Sequence, residues 1–147
     1  MPRLLIGIGI LFVAACLPAC HAAAPAPSVD GWRPSRSTPG ITFHDSLGDP
    51  RVAGPYLYRM RAAAGAAVGV HRHAGTMRIR VVRGRKFLLV GNPPEAQRVQ
   101  VVRAGEVIVI PAGTWHVEWW EEDTEEEISG VGPLGTEHPP AAVPARP

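Results

Sequence analysis

Two stretches decide how this chain is read: Gly65–Gly84, GAAVGVHRHAGTMRIRVVRG, and Gly105–Trp120, GEVIVIPAGTWHVEWW. The first carries His71-Arg72-His73. In an extended chain, side chains at i and i+2 leave the same face of the strand, with Cα atoms roughly 7 Å apart, so two imidazoles can converge on one ion. Alone, such a pair is a weak signal. The second stretch strengthens it: the apolar run Val107–Ile110 ends in Pro111-Ala112-Gly113-Thr114-Trp115-His116, where Pro and Gly set a tight turn that aims His116.

The text around these stretches is β. Short runs at Tyr56–Ala62, Ala66–His73, Met77–Val82, Lys86–Val90, Arg98–Arg103, Val107–Ile110, His116–Trp120 and Glu126–Val131 are separated by Gly or Pro. Seven to nine such strands, close-spaced and turn-bounded, read as a barrel or sandwich. Sixteen Gly and sixteen Pro in 147 residues disfavour long helices, and a hydrophobic share of 46 % suffices for the core of one domain. Aromatic residues are 6 %, so that core rests mainly on aliphatic side chains. Order is expected from Ile41, with residues 41–138 forming the barrel, residues 23–40 a Pro/Ala-rich arm and residues 139–147 a disordered tail.

Net charge is +2, too close to neutral to imply nucleic acid as a partner. The charges are segregated, however. Arg72–Lys86 holds six basic residues and no acidic one, and Glu118–Glu127 holds seven acidic residues and no basic one. These blocks read as the solvated faces of two strands that can oppose one another. The cluster Glu121–Glu127 reads as a solvated turn, too dense for an acid/base pair.

With both stretches quoted, the chain resembles the cupins. Their first motif, G-x5-H-x-H-x3-E-x6-G, fits Gly65, His71, His73, Met77 and Gly84 at every spacing. Their second, G-x5-P-x-G-x2-H-x3-N, fits Gly105, Pro111, Gly113, His116 and Trp120. Gly48-Asp49-Pro50 and Gly130-Val131-Gly132-Pro133-Leu134-Gly135 are similar to segments of a subgroup of small exported cupins. The resemblance covers residues 43–138. It implies an all-β double-stranded β-helix, the jelly-roll barrel, with His71, His73 and His116 as metal ligands, and it favours a homodimer.

Two positions depart from the pattern. Met77 stands where the family has a glutamate ligand, and Trp120 where it often has asparagine. Met77, at i+4 from His73, shares the inward face of the pair and is expected to pack against the metal shell, since a thioether is a poor ligand for hard ions. Trp120 is expected in the core or at the rim, and both are candidate pocket residues. His21, His44 and His138 read as surface residues. Three neutral nitrogens leave open positions on a divalent transition metal, and Fe, Zn, Ni, Cu and Mn all remain candidates. Losing the carboxylate disfavours hard Mn(II) most.

The first 22 residues read as an export signal: Arg3, then the apolar run Leu4–Ala15, shorter than the roughly 20 residues a bilayer span needs. Leu17-Pro18-Ala19-Cys20 is a candidate lipobox that would anchor the chain by lipid at Cys20; small-residue sites for ordinary signal peptidase compete with it. The expected location is the periplasm, free or membrane-anchored, with no transmembrane span in the mature chain. Two functions stay open. One is a metal-dependent enzyme acting on a small molecule, with dioxygenase-like chemistry favoured. The other is a non-catalytic protein of the envelope that holds a metal or small ligand, with an apo barrel as its limit.

Overall fold

The computed structural model describes residues 29–91 and 98–139. The export signal, the lipobox with Cys20 and the tail from residue 140 onward lie outside the described residues. Ten strands occur among the described residues: β1 (Arg33–Pro34), β2 (Ile41–Leu47), β3 (Gly54–Ala62), β4 (Ala67–His71), β5 (Met77–Arg83), β6 (Arg85–Val90), β7 (Gln100–Arg103), β8 (Val107–Ile110), β9 (His116–Trp119) and β10 (Thr124–Gly132). They form two antiparallel sheets, β1-β2-β3-β10-β5-β8 and β4-β9-β6-β7, packed face to face as a jelly roll. No described helix is long and apolar enough to cross a membrane.

The eight strands expected from sequence are all present, within two residues at most ends. Strands β1 and β2 were not among them. In β2 the inward residues are Ile41 and Phe43, and the alternation is then broken by Asp45-Ser46, where the pairing with β3 shifts register. Residues 29–40, read as an arm, supply a short 3-10 turn at Val29–Gly31 and then β1, which pairs with β2.

Alternation explains the core. β5 buries Met77, Ile79 and Val81, β3 buries Tyr56, Met60 and Ala62, and β6 buries Leu88. Gly84 shows why the first motif ends on glycine. Its φ is +80°, and an added Cβ would sit 2.5 Å from Thr124 Oγ1 and 2.8 Å from the Asp123 carbonyl.

The charge blocks do oppose one another. On the outer face of the larger sheet, Glu127 is flanked by Arg59 and Arg80, and Glu125 by Arg61 and Arg83. Arg80 reaches Glu127 at 2.5 Å and Arg61 reaches Glu125 at 3.0 Å, while Arg59 also pairs with Glu125. The reading of Glu121–Glu127 as a solvated turn holds for residues 121–123 and is corrected from Thr124 onward. Residues 124–132 are β10, a central strand between β3 and β5, and its inward set is Thr124, Glu126 and Ile128. Glu126 is fully buried, and so is Lys86, which the same reading left on a solvated face. Charges survive such burial when they are paired, and these are.

Candidate metal centre and cavity

His71 ends β4 and pairs across the ladder with His116, the first residue of β9; His73 lies just beyond β4. Their rings gather at one end of the space between the sheets. Centroids are 4.1 Å apart for His71 and His116, 4.9 Å for His71 and His73, and 5.4 Å for His73 and His116. One ring nitrogen of each lies within 4.8 Å of the others. His71 and His116 are almost inaccessible to solvent, at 4 % and 0 % exposure.

Each imidazole is fixed by a backbone carbonyl. Nδ1–H of His71 donates to Gly69 O at 2.8 Å, that of His73 to Gly135 O at 2.6 Å, and that of His116 to Thr114 O at 3.0 Å. A carbonyl can only accept, so each contact places the proton on Nδ1 and leaves Nε2 as a lone-pair donor. This is how metal-binding histidines are commonly oriented. His116 Nε2 is buried with no hydrogen-bond partner. A neutral nitrogen left bare in a dry interior costs free energy unless something occupies it. A divalent transition metal is what three convergent nitrogens suit, so these residues fit the group the family implies.

Burial pushes the pKa of all three imidazoles down, and the neighbouring imidazoles push the same way. Their carbonyl hydrogen bonds oppose this without reversing it. The lowered pKa favours the neutral form of each ring, which ligation requires.

The segment after β10 completes the site from far along the chain. Arg72 and Glu137 exchange two backbone hydrogen bonds of 2.9 Å, and Ala74 N and Gly75 N both donate to Leu134 O. That lacing brings the Gly135 carbonyl to His73. It also carries His138 to a ring distance of 6.1 Å from His71. His138 is exposed, as expected, but it stands at the rim of the site. His44 is elsewhere, packed on Trp32.

A cavity of about 400 Å³ adjoins the cluster at His71 and His73. Met77 lines it, beside His71 and His73; Trp120 does not line it and is 1 % exposed in the core behind. Apolar walls come from Phe43, Met60, Ile79 and Ile128, and the arm contributes Ser35, Ser37, Thr38 and Pro39. Two charged residues reach the lining, Lys86 and Glu118. Lys86 Nζ lies 2.5 Å from Glu118 Oε2 and 3.1 Å from Glu126 Oε2, and Trp120 Nε1 donates to Glu126 Oε1 at 2.7 Å. Nothing in the motif spacing points to this ion cluster. Strand parity does: Glu118 is two residues from His116, and Lys86 is two from Leu88, so both face inward.

The cupin domain family matches residues 58–128, from the middle of β3 to the middle of β10. No curated protein matches the chain. Among solved structures the chain is similar to an acetylacetone dioxygenase from Acinetobacter johnsonii, with TM-score 0.61, 17 % identity and 90 % of each chain covered. It is also similar to a cupin-2 domain protein from Rhodospirillum rubrum, with TM-score 0.60, 16 % identity and coverage of 83 % of this chain and 86 % of that one. A cupin 2 conserved barrel domain protein from Rhodopseudomonas palustris matches with TM-score 0.59, 18 % identity and 74 % of each chain covered. The family match over residues 58–128, on a jelly roll that carries both histidine motifs in register and is shared with these cupin structures, identifies a cupin domain in this chain.

Proposed function

We propose that the protein binds one divalent transition metal through Nε2 of His71, His73 and His116 and acts on a small molecule held in the adjoining cavity, with oxygenation the favoured chemistry. The observation that carries this reading is the set of three Nδ1–H groups on backbone carbonyls, which leaves Nε2 of each ring free to bind, in a cluster whose ligand atoms lie within 4.8 Å of one another. The candidate metals are Fe, Zn, Ni, Cu and Mn. A bound metal would supply Lewis acidity and, where redox-active, one-electron chemistry with dioxygen. The chain's own part is to orient the imidazoles, to exclude water with apolar walls, and to seat the substrate. We further propose that this takes place outside the cytoplasm, in the periplasm or on a lipid anchor at Cys20.

The shared fold with a dioxygenase does not transfer its activity. The test is direct: dioxygen uptake by the Fe(II)-loaded protein across thiols, phenols and diketones. Turnover with any class that disappears in His116→Ala supports the enzyme. Silence with every metal and every class favours the second reading, a non-catalytic metal or ligand carrier of the envelope. Met77 favours that alternative, since it replaces the carboxylate that proton-abstraction chemistry would use.

Met77 also yields a prediction about affinity. Met77→Glu should tighten Mn(II) or Fe(II) binding by about tenfold or more, because a carboxylate would join three neutral nitrogens. Competitive chelator titration of the two proteins measures it. Unchanged affinity would mean that position 77 does not reach the metal.

A further inference from the structure

The buried charges beside the three histidines lie outside the group of residues that could hold a metal. His116, Glu118 and Trp120 are successive inward residues from β9 onward, so Glu118 stands one step, roughly 7 Å, below His116. It lies between Val68 of β4 and Leu88 of β6 in the ladder. The step below it holds Lys86, Glu126 and Trp120. The ammonium bridges the two carboxylates and sits 4.6 Å from the Trp120 ring centroid, while the indole N–H holds the second carboxylate. Three ionisable groups in the core are costly, and apolar residues of like volume would often serve stability as well or better. The cluster therefore points to a use in the cavity.

We propose that Glu118 is the anionic hydrogen-bond acceptor of the cavity, positioned by Lys86, Glu126 and Trp120, and that it selects ligands bearing a protonated amine or a hydroxyl over ligands bearing a carboxylate. Lys86 occupies Oε2 of Glu118, which leaves Oε1 to meet a ligand. Among the described residues that line the cavity, Lys86 is the only permanent cation, and its charge is already shared by two carboxylates. A carboxylate ligand at that end would face Glu118 with no free counter-charge, and such like-charge placement costs several kcal/mol. A donor would gain a charge-assisted hydrogen bond in a dry site. The apolar walls add that the rest of the ligand is hydrocarbon, and about 400 Å³ limits it to a small molecule. This inference deepens the proposed function, since it assigns a ligand class to the same cavity.

Lys86 is the only lysine in the chain, so protein labelled with ε-15N lysine gives one ammonium resonance, located at Glu118. Benzylamine, phenol and benzoate are titrated into metal-free and Zn(II)-loaded protein while that resonance is followed. Benzylammonium and phenol are expected to shift it saturably, with benzoate at least about tenfold weaker in the metal-free protein. Glu118→Gln should bring the affinities for benzylammonium and benzoate together, and Glu118→Asp should keep the preference. Equal affinity for the two, no shift with any probe, or a preference that survives Glu118→Gln overturns the proposal. Loss of zinc binding with the preference intact would count against the metal reading alone. Zinc held by the three histidines with no preference would count against this one alone.

Discussion

Lys86→Ala is expected to destabilise the protein by about 3–5 kcal/mol, because it strands two carboxylates in the core. Lys86 and Glu126 are wholly inaccessible and Glu118 is 7 % exposed, so the two carboxylates would lose a counter-ion that bulk solvent does not reach. The present balance shows in the directions of the pKa shifts. Burial raises the Glu118 carboxyl, but Lys86 outweighs it and the net direction is down. Burial also raises Glu126, and there Lys86 does not fully offset it, so the net direction is up. At Lys86 burial acts downward, and the two carboxylates together hold the ammonium above its ordinary value.

Without Lys86 both carboxyls sit above their unfolded value of 4.5. The folded state then binds protons more tightly than the unfolded one, so the variant is most stable at acid pH. Stability falls as pH rises from about 4.5 through the raised folded values. Urea denaturation of wild type and variant between acid and neutral pH measures this: the gap should widen with pH. The triple change Lys86→Met, Glu118→Gln, Glu126→Gln removes every charge and should recover most of the loss. A Lys86→Ala cost below about 1 kcal/mol, the range of exposed ion pairs, would mean that the cluster is not buried in solution.

Metal binding is expected to have the second large effect. An ion at a thousand times its dissociation constant adds about 4 kcal/mol to the unfolding free energy when only the folded state binds it. Thermal or urea unfolding with and without added metal measures the gain, and His116→Ala should abolish it. The gain also has a pH signature. Burial holds all three imidazoles below their ordinary 6.5 in the folded chain. As pH falls the unfolded chain therefore takes up protons first. What the neutral rings contribute is complete above 6.5 and is lost as pH drops through the lower folded values. Metal stabilisation should fade over the same acid range, because protons compete for Nε2. A gain that persists in His116→Ala would place the metal elsewhere.

Much of this was legible in the sequence, for physical reasons that differ by residue. The histidine spacings carry information because strand geometry turns i, i+2 into a shared face and the Pro-Gly turn fixes where β9 begins. The eight strands found in advance are apolar or alternating runs bounded by Gly or Pro. β2 was missed because Asp45 and Ser46 break its pattern at a register shift, and β1 because two residues leave no period to read. The ion cluster was missed because its members lie inside long like-charged blocks, which read as solvent-facing. Lys86 follows Arg85, and Glu126 sits between Glu125 and Glu127, yet successive residues of a strand face opposite ways. The carbonyls that orient the imidazoles were out of reach for another reason. Gly135 is 62 residues from His73, and only the lacing of the segment after β10 onto the histidine turn brings them together.

The most direct test of the central claim is the metal content of the purified protein, made without a histidine-rich tag and measured by plasma mass spectrometry beside His73→Ala. The account predicts about one equivalent of one transition metal in the wild type, as a three-nitrogen site would hold, and its loss in the variant. No metal in either protein, and none retained after reconstitution with Fe, Zn, Ni, Cu or Mn, would contradict it.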